Sequence, residues 1–302
     1  MKPTLFQKIK ICISEFIKHY FMAQVSASAN VLAYYLLLSI FPALIVLGNM
    51  LPIVGVHATT LLNYLATIIP KSVFEFIKPI VEDSLSTGSG GILTAGALIT
   101  LWSTSKAVAA FQRGVNQAYG VGKDQDPITN RILSFLWMLL VILIMGALIL
   151  FYGVGELLMV RFKSTFNIET SLIDAVNQLR WPVAFLGVFV ALSLLYYFVP
   201  NAKVMYRYVF WGALIATILW MLLSQVFSVY TVVFSTAVAT YKTMGAFVVF
   251  MIWLDISGMV MMIGAVINAT LQSLRQGEIV EKQTFWKRRV LKKPRNKRDL
   301  EK

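Results

Sequence analysis

From Tyr20 to Pro70 the chain carries no Asp, Glu, Lys or Arg. An apolar run longer than about 18 residues without charge is the signature of a membrane-spanning helix. In lipid the backbone must satisfy its own hydrogen bonds, so only helices and closed barrels can cross. The composition agrees: 58% of residues are hydrophobic and 14% charged, against about 45–50% and about 25% in soluble chains. The expected fold is an all-α polytopic membrane protein. It comprises a bundle of six transmembrane helices, an N-terminal interfacial amphipathic helix and short amphipathic helices on the outer face.

Residues 1–21 place Leu5, Ile9, Cys12, Ile13, Phe16, Ile17 and Tyr20 on one helical side, with Lys8, Glu15 and Lys18 largely opposite. A helix lying in the cytoplasmic interface follows. The same charges interrupt any apolar signal region, so no cleavable signal peptide is expected. Within 22–274 the spans fall at about 31–54, 92–112, 132–154, 182–199, 208–234 and 244–272. Pro42 lies inside the first, where Ser39 is a candidate to satisfy the carbonyl that proline frees. Residues 56–87, broken at Pro70 and Pro79, read as short amphipathic helices, and "STGSGG" (86–91) as a flexible hinge. No internal repeat is evident.

The basic residues orient the bundle. With six spans, the termini and the loops 113–131 and 200–207 hold twenty Lys/Arg, and the opposite side six. Both termini are therefore expected in the cytoplasm of a bacterial cell. The tail 275–302 carries eleven of these basic residues and is expected to be disordered and to attract anionic lipid headgroups. Membrane lipids, rather than nucleic acid, are thus the partners expected of a net charge of +13. A homo-oligomer is compatible with the sequence.

Catalytic chemistry finds little footing. Cys12 is the only cysteine, which excludes an intramolecular disulfide, and His19 and His57 are the only histidines and fall on opposite sides of the membrane. The loops 113–131 and 200–207 offer Asp124 and Asp126 as their only acids, far from the converging ligands that metal-dependent phosphodiester hydrolysis needs. No nucleophile elbow and no Walker motif is present. No enzyme, cofactor or metal site is expected.

Two charges stand inside spans: Lys106 in the second and Asp255 in the sixth, where "MIWLDISGMV" (251–260) is otherwise free of charge. An acid at a helix centre costs about 2.5–3.5 kcal/mol on insertion scales, and such residues usually pair or face water. Compatible depths suggest an Asp255–Lys106 pair or two groups lining one cavity. The pair is either a static bridge or a substrate or proton site, and Lys106 can alternatively snorkel. Ser103, Thr104 and Ser105 beside Lys106 either bond between helices or line a cavity. Trp102, Trp220 and Trp253 read as packing aromatics, and Ala265 and Ala269 as sites of close helix approach.

Several segments together resemble the YihY / virulence factor BrkB family. They are "SANVLAYYLLLSIFPALIVL" (28–47), "LWSTSKAVAAFQRGVNQAYGV" (101–121), "YYFVPNAKV" (196–204), "WGALIATILWMLLSQVFSVY" (211–230) and "GAFVVFMIWLDISGMVMMIGAVINATL" (245–271). The resemblance covers roughly 20–275 and marks Pro42, Trp102, Asn116, Tyr119, Pro200, Asn201 and Tyr241 as motif positions. For Asn116, Tyr119, Pro200 and Asn201 the plainer role is capping and turn formation. Two positions depart from the family pattern: Val266 stands where it usually has Glu, and Asp255 where it often has an aromatic residue. The two are eleven residues apart, about 16 Å along a helix, so one acid does not replace the other. The resemblance implies an inner-membrane protein. The family has carried a ribonuclease label and has been tied to export across the envelope, including of lipid-like molecules. A transporter or flippase-like exporter of an amphiphilic or lipid-related molecule is therefore expected, with a non-transporting scaffold for envelope assembly as the rival.

Overall fold

The computed structural model describes residues 4–50, 90–121, 180–233 and 235–281, with isolated positions between 62 and 82. These residues include α1 (Leu5–Met22), α2 (Val25–Met50), α3 (Gly90–Ala118), α4 (Arg180–Phe198), α5 (Tyr206–Val233) and α6 (Ser235–Gln276). Among the described residues there is no strand, only an antiparallel bridge between Ala202 and Glu281. The expected span at 132–154 lies outside the described residues. The isolated positions between 62 and 82 are helical, and Lys78 Nζ stands 3.8 Å from Glu82 Oε1, one turn apart.

By length and composition, Tyr206–Phe227 and Phe247–Gln276 can each cross a membrane. The pair α1–α2, bent by 47°, passes the same test only when taken together, and Pro182–Phe198 is a shorter apolar helix. Several helices outrun the spans read from the sequence. α6 begins at Ser235 rather than near 244 and is 42 residues long, about 63 Å at 1.5 Å per residue. That exceeds a hydrocarbon core of about 30 Å, because helical propensity does not end where hydrophobicity does. Gly90 and Gly91 likewise join the first turn of α3 rather than a hinge; the rest of that hinge lies outside the described residues.

α1 starts on a capping box: the Thr4 hydroxyl accepts from the Gln7 backbone while the Gln7 side chain accepts from the Thr4 N–H. It ends at Ala23–Gln24, where Gln24 adopts φ 46°, a left-handed conformation that a non-glycine residue seldom takes. The Ser28 hydroxyl donates to the Ala23 carbonyl across this bend, at 2.8 Å. In α2, the Ser39 hydroxyl donates to Leu36 O at 2.8 Å. It therefore does not serve the Leu38 carbonyl that Pro42 frees, because a serine three residues before proline reaches back to its own preceding turn.

α6 is the centre of the packing, with α5, α2, α1 and α3 against it. Contact with α5 depends on missing side chains. A Cβ on Gly212 would strike the Asn268 side chain and the Gly264 carbonyl, and one on Gly264 would strike the Tyr196 hydroxyl and Ala216. Ala265 and Ala269 are fully buried beside them, as their size suggests. We expect Gly264→Ala to lower stability by about 1–3 kcal/mol through overpacking, read as an earlier thermal midpoint in detergent. Val226→Ala, at an exposed position of α5, is expected to leave that midpoint nearly unchanged.

Candidate functional site

Among the described residues, the two charges that the sequence places inside spans form no ion pair with each other. Lys106 Nζ lies over the ring of Trp102, 5.8 Å from its centroid, one turn back on α3. Trp102 is 52% exposed, so it packs at the bundle surface rather than inside, and it draws Lys106 with it. Asp255 is half-buried on α6, and its Oδ1 is buried without a hydrogen-bond partner. Ser103 is buried but spends its hydroxyl on its own helix, donating to Ile99 O at 2.5 Å. Ser105 is half-buried. Trp253 packs against Trp220 and Phe250, and Trp220 Nε1 donates to Ser257 Oγ at 3.2 Å. The position of the absent family acid, Val266, is fully buried.

The structure joins a second set of residues. α4 ends at Phe198, before Pro200, and leaves backbone groups that need partners. Gln112 of α3 donates Nε2 to Val199 O at 2.8 Å and to Asn201 Oδ1 at 3.3 Å. One turn on, Asn116 Oδ1 accepts the Asn201 N–H at 2.8 Å. From α6, Gln272 accepts the Met205 N–H at 3.4 Å and donates to Lys203 O at 2.8 Å. Asn268, one turn earlier, accepts the Gly212 N–H at 2.9 Å. Two helices, α3 and α6, thus hold the α4–α5 connection with side-chain amides. Asn116, Tyr119 and Asn268 each keep one buried donor without a partner (Nδ2, the hydroxyl and Nδ2).

Asn116, Tyr119, Pro200 and Asn201 were singled out by resemblance, and the structure places Asn116 against Asn201. Asn116 also belongs to the stop of α3, where its carbonyl accepts the Val121 N–H past Gly120, whose φ is 68°. Gln112, Asn268, Gln272 and Tyr196 escaped sequence reasoning. Their signal was an amide recurring every fourth residue, at 112 and 116 and at 268 and 272, in otherwise apolar helices. The Tyr196 hydroxyl donates to Met261 O at 2.6 Å. Pro42 and Tyr241 lie in helical backbone of α2 and α6, their side chains outside the described residues.

The junction of α1 with α3 is also polar. His19 is 4% exposed; its Nδ1 lies 2.7 Å from the Ala118 carbonyl, and its Nε2 lies 3.6 Å from Glu15 Oε2. The short contact to a carbonyl requires the proton on Nδ1. Burial lowers the His19 pKa below its ordinary 6.5, against the raising effects of the Ala118 carbonyl and Glu15, while Lys18 lowers it further. His19 lies in α1, outside the spans read from the sequence. The tail also differs from expectation at its start. α6 runs to Gln276, Gly277 turns at φ 75°, and Val280 O accepts the Lys203 N–H at 2.9 Å. Residues 275–281 are therefore tied to the bundle, because the strand-like contact satisfies the loop after α4; 282–302 lie outside the described residues.

Long apolar helices closed by buried amide networks define a helical membrane protein. The Virulence factor BrkB family signature matches residues 16–289. The chain belongs to that family. It is 32% identical over 266 residues to a Bacillus subtilis (strain 168) protein bearing the name ribonuclease-like protein YfkH, covering 87% of this chain and 96% of that one. It is 24% identical over 262 residues to UPF0761 membrane protein NTHI0384 of Haemophilus influenzae (strain 86-028NP), covering 84% and 91%. It is 36% identical over 101 residues to UPF0761 membrane protein RSc1559 of Ralstonia nicotianae, covering 33% and 21%. No solved structure matches.

Two outcomes follow from this geometry. Asn116→Ala removes the acceptor of the half-buried Asn201 N–H, and should cost about 1–3 kcal/mol in a detergent melt. The docked His19 is neutral, so its contribution is complete above pH 6.5. As pH falls below 6.5, free His19 takes up a proton that the docked ring resists, and docking weakens. The protection of the α1 amides, taken relative to their intrinsic exchange rate at each pH, should therefore fall as pH drops from about 7.5 towards about 5.5 (roughly one unit to either side of the free imidazole value), and His19→Gln should flatten that dependence.

Proposed function

We propose that this protein is a transporter or flippase-like exporter that moves an amphiphilic, lipid-related molecule across the bacterial cytoplasmic membrane, with six spans and both termini in the cytoplasm. One observation carries the reading. Asp255 sits in the apolar stretch Phe247–Gln276 with one carboxylate oxygen buried and unpartnered. A static bridge would offset the cost of that acid, and among the described residues no ion pair with Lys106 does so. An unpartnered acid inside a span is suited to a proton or a cationic group that comes and goes, which fits coupling to an ion gradient. Lys106, half-buried over the exposed Trp102, is suited to an anionic headgroup at the bundle edge rather than to Asp255.

We read the chain as non-enzymatic, with no cofactor. The ribonuclease-like name belongs to the Bacillus relative, and the two histidines and few loop acids of this chain give hydrolysis little support. Its partners in this reading are membrane lipids, with anionic headgroups at the basic tail, and a second copy of the chain is compatible with it; nucleic acid is not a partner.

The test is lipid movement by the purified chain in vesicles carrying a fluorescent phospholipid in both leaflets. Reduction from outside should exceed the outer-leaflet fraction, and Asp255→Asn should slow the slow phase by about tenfold, equivalent to about 1.4 kcal/mol, with helicity intact by circular dichroism. Movement no faster than in empty vesicles, with or without an imposed proton gradient, overturns the reading in favour of a scaffold.

A further inference from the structure

We propose that the groove between α1 and α6 seats one acyl chain of an anionic phospholipid, whose headgroup lies on basic residues that neighbour the groove in sequence. The groove is lined by Cys12, Ile13 and Phe16 of α1 and by Ile267, Thr270 and Leu271 of α6, and it is open along one side. Its wall is apolar although a threonine contributes to it. The Thr270 hydroxyl donates to Val266 O at 2.8 Å, so only its methyl group is left for the groove.

Three features select a lipid over another protein segment. The groove continues into a strip of α1 formed by Ile9, Ile13 and Ile17, each about half exposed, with Phe6 and Phe21 more exposed still. Such a strip on a helix at the membrane boundary is a surface for acyl chains. Basic charge marks the groove on both helices. Lys8 stands one turn before Cys12 and Arg275 one turn after Leu271, and both are exposed, as is Lys10 on another face of α1. The nearby acid does not cancel them: Glu15 is occupied by Lys18 at 3.3 Å and by the Ser273 hydroxyl at 3.4 Å. An apolar slot with exposed cations one turn from its lining residues matches an anionic amphiphile in sign.

This deepens the transport reading by naming a lipid class and a lateral binding place, and it rests on that reading for its biological use. The experiment measures occupancy rather than movement. The full chain is placed in phosphatidylcholine vesicles containing a photoactivatable acyl-chain analogue of either phosphatidylglycerol or phosphatidylcholine, and the attachment sites are mapped by mass spectrometry. The glycerol lipid should label the segments around Cys12–Phe16 and Ile267–Leu271 in preference to the choline lipid, by about fivefold for each basic side chain engaged. Lys8→Gln with Lys10→Gln should remove most of that preference while choline-lipid labelling persists. Ile267→Trp, or Cys12→Trp if the first fails to fold, should abolish labelling of the groove by both lipids. Val226→Trp, on an exposed face of α5, should not. Equal labelling by the two lipids, or labelling unchanged by both groove-filling variants, overturns the proposal. Selective labelling without lipid movement supports the groove and sinks transport; movement without groove labelling does the reverse.

Discussion

α4 has to stop inside a bundle, and Pro200 denies the chain a helical continuation. The carbonyl of Val199 and the N–H of Asn201 then face protein rather than water, where an unmade hydrogen bond is costly. Gln112 and Asn116 meet both groups from α3. Gln272 meets the next pair, at Lys203 and Met205, from α6. These bonds have length and direction, so they fix the rotation and axial register of α3 and α6 against one turn. Apolar packing alone tolerates slippage along a helix; a carbonyl and an N–H with assigned amides do not. Asn268 extends the register one turn further by reaching the Gly212 N–H, which is possible only because neither Gly212 nor Gly264 carries a Cβ.

That rigid end contrasts with the surroundings of Asp255. The amides at 268 and 272 are spent largely on backbone, whereas Asp255, about four to five turns away on the same helix, has a buried oxygen without a hydrogen-bond partner. The same helix therefore holds a fixed polar anchor and an open polar group at different levels. Lys106, half-buried on α3, is instead held over the ring of Trp102.

Much of the architecture was legible because it follows from hydrophobic length. A charge-free run predicts a helix wherever its register lies, and α2, α4 and α5 occupy the segments where such runs occur. Helix ends were less legible, since Ser235–Tyr241 and Gly90–Gly91 are helical without being notably apolar. No pairing of Lys106 with Asp255 is seen among the described residues. Matching depth along two axes says nothing about which way each residue points, and Trp102 is too local a competitor to weigh by spacing alone. Asn116 and Asn201 were found as motif residues, yet their mutual contact spans 85 positions and no periodicity encodes it. Gln112, Asn268 and Gln272 were overlooked because an isolated amide in an apolar helix looks like helix glue until its backbone partner is visible.

Any moving part must be sought where opening breaks least. Shifting α3, α4 or α5 would break several buried amide bonds at once, each leaving a desolvated group behind. α1 is held differently. Beyond apolar packing, its side-chain contacts to the rest among the described residues are the His19–Ala118 contact and the weak Ser273–Glu15 bond, and it is followed by the left-handed Gln24. One of those two contacts involves an imidazole whose neutral form is favoured by burial. Opening along α1 therefore breaks two polar contacts and widens a groove already lined for apolar chains. The physics that closes one end of this bundle with amides leaves its side, along α1, as the direction of least resistance.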